Sequence, residues 1–165
     1  MPPTLATTGE KKPAIAFHED LLFTHRGLSG PAILQISSYW QPGQPLTIDL
    51  LPHLDIAAAL QEAKASSKKQ LPNLLAQWLP TRLAEAWCQH TPAWQGPVNQ
   101  CSDKALAQLA HSLSHWQITP SGTEGYAKAE VTLGGVDTQA LAQQSMQAKQ
   151  QPGLFFIGEV VDITG

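Results

Sequence analysis

Cysteine is nearly absent from this chain: Cys88 and Cys101 are the only two in 165 residues. Two thiols cannot staple a chain of that length, which fits a reducing, cytoplasmic setting. Charge is also sparse, at 14% of residues, and the basic residues are scattered. The densest groups, Lys11-Lys12 and Lys68-Lys69, are pairs of the kind found in solvated loops. With a formal net charge of −3, no nucleic-acid partner is expected, because neutralising phosphates needs grouped Lys and Arg. Long apolar runs are missing too. Leu154–Ile157 falls far short of the roughly 20 residues of a membrane helix, so no membrane partner is expected. The N-terminus lacks the positive region and apolar stretch of a secretory leader. There is no Gly-x-Ser-x-Gly elbow, no Walker loop and no Gly-x-Gly-x-x-Gly turn.

What is present is a core. Hydrophobic residues make up 42% of the chain, enough for a folded domain. Met1–Pro13 is polar and broken by Pro and Gly, and reads as a lead-in. Strand-prone runs follow at Ala14–His18, Leu21–Thr24 and Leu46–Leu50, with Glu19-Asp20 as a turn. From Asp55 the period changes. Ile56, Ala59, Leu60 and Ala63 share one helix face, with Asp55 as a cap. Leu71, Leu74, Leu75 and Trp78 repeat the pattern, as do Leu83, Ala86 and Trp87 after Pro80. Leu106, Leu109, Ala110 and Leu113 form a fourth face, capped by Ser102. Strands return at Trp116–Thr119 and Tyr126–Leu133, then a helical or irregular stretch over Thr138–Lys149 and a strand at Leu154–Ile157.

The order is strands, helices, strands. It implies an α+β fold, with a β-sheet or β-barrel-like subdomain over 14–54 and 116–136 and a small helical subdomain inserted at 55–115. The strand at Leu154–Ile157 is fully apolar, as in a buried parallel sheet, yet few strands lie near it in sequence. That mismatch suggests a chain cut from a longer protein.

Three segments are candidates for chemistry. Phe23–Ala32 runs from a strand through Gly27 and Gly30 into a helix that starts at Pro31 and extends through Tyr39. Its glycines would let a ligand approach, its helix start offers N–H groups, and Thr24, His25, Arg26 and Ser29 add donors. An ordinary strand–turn–helix corner uses the same residues. Ala129–Val136 ends a strand in Gly134-Gly135, which permits contact with a flat ring or a sharp exit from the sheet. Gly153–Glu159, continuing to Asp162, delivers a carboxylate at a strand end, where open α/β sheets hold ligands. A solvated acid at a strand end looks the same. His111 and His115, with Cys88, His90 and Cys101 upstream, match no short-spaced zinc pattern, and no metal site is expected.

Taken in order, these segments resemble the YhiN/BaiN-type NAD(P)/FAD-dependent flavoproteins. Phe23–Pro31 is similar to their Phe-Thr-His-x-Gly-Leu-Ser-Gly-Pro signature, and Val131–Val136 to Val-Thr-x-Gly-Gly-Val. The run from Leu154 to Gly165 resembles their closing Gly-Glu-Val-x-Asp-x-x-Gly. The resemblance implies a FAD-binding α/β protein interrupted by a β-barrel-like and helical insert, truncated here at both ends. Residues 137–165 would then be the connection and strand returning to the missing FAD-binding domain. It implies that Glu159 contacts the ribityl chain, with Gly158 and Asp162 beside it. Thr132, Gly134 and Gly135, with Thr24 and Arg26, would face the flavin or substrate, and His25 is the candidate acid. The implied activity is reduction of an organic substrate with NAD(P)H as donor. FAD would bind the intact protein and not this fragment, which alone is expected to be inactive. A different reading is a non-catalytic interaction module, in which Trp78, Trp87 and Trp94 anchor a partner. A yellow intact protein whose flavin bleaches with NAD(P)H distinguishes the two.

Overall fold

Leu46 and Ile48 alternate with Thr47 and Asp49, the period of a strand with one buried face. In the computed structural model, which describes residues 4–8, 15–129 and 133–163, this run is the third strand of a four-stranded antiparallel sheet. The first unit of the chain, Met1–Ser121, contains strands β1 (Thr4–Thr8), β2 (Ile15–Glu19), β3 (Leu22–Phe23) and β4 (Leu28–Ser29). They are followed by helix α1 (Pro31–Ser37), β5 (Leu46–Asp49), helices α2 (Ile56–Ser66), α3 (Leu71–Leu75), α4 (Thr81–Gln89) and α5 (Asp103–Ser114), and β6 (Trp116–Ile118). The sheet order is β2-β1-β5-β6, and β3 and β4 form a separate hairpin.

β1 corrects the expectation of an unstructured lead-in over Met1–Pro13. It occupies the interior of the sheet, pairing with β2 from Thr4↔Glu19 to Thr8↔Ile15 and with β5 from Leu5↔Asp49 to Thr8↔Leu46. The run Thr-Leu-Ala-Thr-Thr has little apolar alternation to mark it. It is a strand because both its edges find partners. β6 closes the other side, with Trp116 opposite Ile48, so the chain returns to the sheet after the helices.

The helices follow their apolar periods closely. In α2, Ile56 and Leu60 are buried, and the Asp55 carboxylate accepts from the Ala58 N–H at 3.0 Å. In α5, Leu106, Leu109, Ala110 and Leu113 are buried, and the Ser102 hydroxyl accepts from the Ala105 N–H at 3.2 Å. α4 departs from expectation: Ala84 and Cys88 are its core residues, and Ala86 is exposed. α1 ends at Ser37 and not at Tyr39, because the chain turns to bury Trp40, whose indole N–H donates to the Gln44 carbonyl. Sheet and helices share one core, from Ile36, Ile48 and Leu50 through Leu60, Leu71 and Leu75 to Leu109 and Leu113. Each such Leu or Ile contributes about 1.5–3 kcal/mol on burial. Trp94 is buried in it, its indole N–H donating to the Ala105 carbonyl.

The second unit, Gly122–Gly165, has no regular sheet among its described residues. Tyr126, expected in a strand, lies in the 3-10 turn Gly125–Ala127 and is almost fully exposed. Thr138–Ala140 and Gly158–Val160 are further 3-10 turns. The expected buried strand at Leu154–Ile157 is absent. Leu154, Phe155 and Ile157 are exposed, and among the described residues the only bridge there joins Phe155 to Gln147. A buried strand needs neighbours on both edges and cover on both faces, and the described residues supply neither.

Candidate functional site

The first signature forms the β3–β4 hairpin, with Leu22 opposite Ser29 and Phe23 opposite Leu28. Thr24 builds its tip. The Thr24 backbone N–H donates to the Gly27 carbonyl at 2.8 Å, and its hydroxyl accepts from the Arg26 and Gly27 N–H groups at 3.2 and 3.1 Å. The Thr24 side chain is therefore spent on the turn, while His25 and Arg26 are carried exposed at the tip.

Gly30 has a role other than ligand approach. Its φ is +91°, and a Cβ there would stand 2.8 Å from the Asp20 carbonyl oxygen and 3.0 Å from the Leu22 nitrogen. The glycine lets the hairpin close against the start of α1. The expected free N–H groups at that helix start are also used, since Ala32 N–H donates to Asp20 and Ile33 and Leu34 to Gly30.

Behind the turn lies a shallow groove of about 200 Å³ lined by Arg26, Leu28, Ile33, Leu46, Ile118 and Ser121. Beside the hairpin, Phe23 stacks on Trp116 with centroids 5.8 Å apart and planes 19° apart. Trp116 in turn meets the edge of Trp87 at 5.4 Å and 80°. The Trp87 indole N–H donates to the Ser112 hydroxyl at 2.9 Å, which anchors the inner end. Sequence spacing could not reveal this ladder, because its rings come from β3, α4 and β6.

In the second unit the other two signatures meet. Val136 N–H donates to the Val160 carbonyl at 2.8 Å, and Asp162 N–H donates to the Val136 carbonyl at 2.9 Å, forming a parallel bridge between Val136 and Val161. Gly135 makes that approach possible, since a Cβ on it would stand 2.6 Å from the Val160 carbonyl oxygen. Gly134 (φ +87°) and Gly158 (φ +73°) have open space where a side chain would stand. Glu159 and Asp162 are exposed on either side of the buried Val161. Thr132 lies outside the described residues. Below the bridge is a cavity of about 410 Å³, lined by Thr138, Leu141, Met146, Lys149, Val161 and Ile163.

Thus the structure brings together Gly134, Gly135, Gly158, Glu159 and Asp162. Thr24, His25 and Arg26 form their own cluster in the first unit. Among the described residues no group of three or more His, Cys, Asp or Glu side chains could hold a metal. No helix among them is long and apolar enough to cross a membrane.

A small antiparallel sheet with a hairpin and a helical layer on one core defines the class: an α+β unit with helices set between the strands of its sheet. The chain belongs to the HI0933-like family, a family of FAD-dependent oxidoreductase type, whose barrel and H2TH domain it matches over residues 3–131. It is similar to two proteins named ribosomal RNA dihydrouridine synthase. Identity is 46% over 151 residues with the Haemophilus influenzae protein and 51% over 150 residues with the Escherichia coli K12 protein. These matches cover 91% and 90% of this chain and 38% of each relative. It is also 22% identical over 158 residues to the 3-dehydro-bile acid delta(4,6)-reductase of Clostridium scindens, covering 88% of this chain and 38% of that protein. The chain therefore spans well under half the length of the curated relatives it matches.

Proposed function

We propose that this chain is the barrel-and-helix part, with the flavin-contacting tail, of a FAD-dependent enzyme that reduces a uridine of ribosomal RNA to dihydrouridine. The observation that supports the flavin assignment is the Val136–Val161 bridge, which joins the segment of the open Gly134 to the segment of the open Gly158, Glu159 and Asp162. The substrate class rests on the names of the two relatives of 46% and 51% identity. It departs from the expectation of no nucleic-acid partner. A net charge of −3 counted over a chain matching 38% of its relatives' length does not describe the surface of a whole protein.

The chemistry is balanced by uridine, NAD(P)H and a proton giving dihydrouridine and NAD(P)+. The C5–C6 double bond of uracil gains one hydride and one proton, and the nicotinamide is oxidised. Bound FAD supplies the hydride transfer between nicotinamide and uracil. The protein's part is to orient and to protonate. Glu159 and Asp162 would accept hydrogen bonds from the ribityl hydroxyls, and Gly134 and Gly158 would leave room for the cofactor. His25, exposed at the hairpin tip, is the candidate proton donor.

The test uses the intact protein that carries this chain. Purified with FAD and supplied with NADH or NADPH, it should convert uridine in ribosomal RNA from cells lacking the enzyme, read by nucleoside mass spectrometry. Glu159→Ala should lower flavin affinity by roughly ten- to a hundredfold, the effect of losing a charge-assisted hydrogen bond worth about 1.5–3 kcal/mol. An intact protein that is colourless, or one whose flavin is reduced while the RNA stays unmodified, removes this reading.

A further inference from the structure

We infer that the Phe23–Trp116–Trp87 ladder is a stacking platform for a nucleobase of single-stranded RNA. The inference rests on the RNA substrate proposed above and goes beyond it by assigning a base-stacking surface.

The ladder is built from the inside outward. Trp87 lies half-buried in α4, fixed by its hydrogen bond to Ser112, whose own hydroxyl donates to the Leu109 carbonyl. Trp116 lies nearly perpendicular to it at 5.4 Å, within the range where aromatic quadrupoles attract. Phe23 then lies nearly parallel to Trp116 and keeps 38% of its surface in solvent. The result is an aromatic cluster, one contact stacked and one perpendicular, whose outermost residue is partly exposed to water.

Such a surface suits a base better than a polypeptide side chain. A nucleobase can add to a stack as another flat ring, and stacking tolerates any base identity. Phe23 is also the residue before the Thr24–Gly27 turn, which carries His25 and Arg26 exposed beside it. Single-strand binders commonly pair an aromatic ring with nearby positive charge. An extruded uridine leaves neighbouring bases unstacked, and a flat receptor for one of them offsets part of that loss.

The experiment measures binding of a fluorescein-labelled, uridine-rich single-stranded oligoribonucleotide to the intact, FAD-bound protein by anisotropy. Phe23→Ala should weaken binding by about 5- to 100-fold. Phe23→Leu, which keeps apolar bulk without a π-face, should weaken it comparably, and Phe23→Trp should bind at least as well as wild type. Flavin content and thermal midpoint report whether each variant folds. A duplex of the same length should be insensitive to all three substitutions. Wild-type affinity in Phe23→Leu overturns the stacking assignment while leaving the RNA reading intact. Failure of the wild-type protein to bind or modify RNA overturns both.

Discussion

Gly135 and Val160 approach so closely that any side chain at residue 135 would collide with the Val160 carbonyl oxygen, 2.6 Å from the nearest Cβ position. Gly134, its neighbour, faces open space at φ +87°. The two glycines of one signature therefore do different work: one closes the Val136–Val161 bridge, and the other keeps a surface clear.

This contrast predicts different outcomes. Gly135→Ala should break the bridge, at about 1–3 kcal/mol for overpacking against backbone. Amide exchange at Val136 and Asp162, the two bridge donors, should then accelerate. Gly134→Ala should leave those amides protected, costing only the roughly 1–2 kcal/mol of a left-handed non-glycine residue. Equal protection loss in both variants would contradict the division.

Gly30 should be intolerant for two reasons at once. Its φ of +91° disfavours any L-residue, and its Cβ would press on Asp20 and Leu22 backbone atoms. Gly30→Ala should destabilise by about 2–4 kcal/mol and release the Ala32 amide, which donates to Asp20. Hydrogen exchange at Ala32, set against a urea melt, checks whether the damage centres on the hairpin.

The helix caps should behave independently. Lys64 near the end of α2 pairs with Asp103 at the start of α5 at 2.7 Å. Asp55 and Ser102 cap different helices, Asp55 accepting from Ala58 and Ser102 from Ala105. Asp55→Ala and Ser102→Ala should each cost about 1 kcal/mol, and the double variant about their sum. A double-mutant cycle by chemical denaturation measures it.

Stability should fall on the alkaline side because of Cys88. Burial, helped by the nearby Cys101 thiol, pushes the Cys88 thiol up to about 11. In the unfolded chain a thiol titrates near about 8.5, so above that pH the unfolded state sheds its proton while the native state holds on. The contribution is complete below about pH 8.5 and is lost as pH rises toward 11. Urea midpoints from about pH 8 to about pH 10.5 should decline more steeply in wild type than in Cys88→Ala. Parallel slopes would show that the thiol is not buried in its neutral form.

Wherever one element could satisfy its own pattern, the sequence was sufficient. The caps Asp55 and Ser102, the buried faces of α2 and α5 and the alternation at Leu46–Leu50 follow from local hydrogen bonding and periodicity, and they stand as read. The α+β class followed from the order of those patterns, and the three signatures pointed to the family.

What tertiary structure decided involves partners distant in sequence. β1 is a strand because β2 and β5 flank it, and its own residues scarcely announce that. Gly30 and Gly135 read as openings for a ligand, yet each is needed by the chain's own backbone. Leu154–Ile157 read as a buried strand, but apolar residues make a strand only where neighbouring strands accept their hydrogen bonds. The ladder of Phe23, Trp116 and Trp87 exists only once the hairpin, the last strand and α4 share one core. Local physics selects the element; only the assembled fold brings side chains remote in sequence to within a few ångströms of one another.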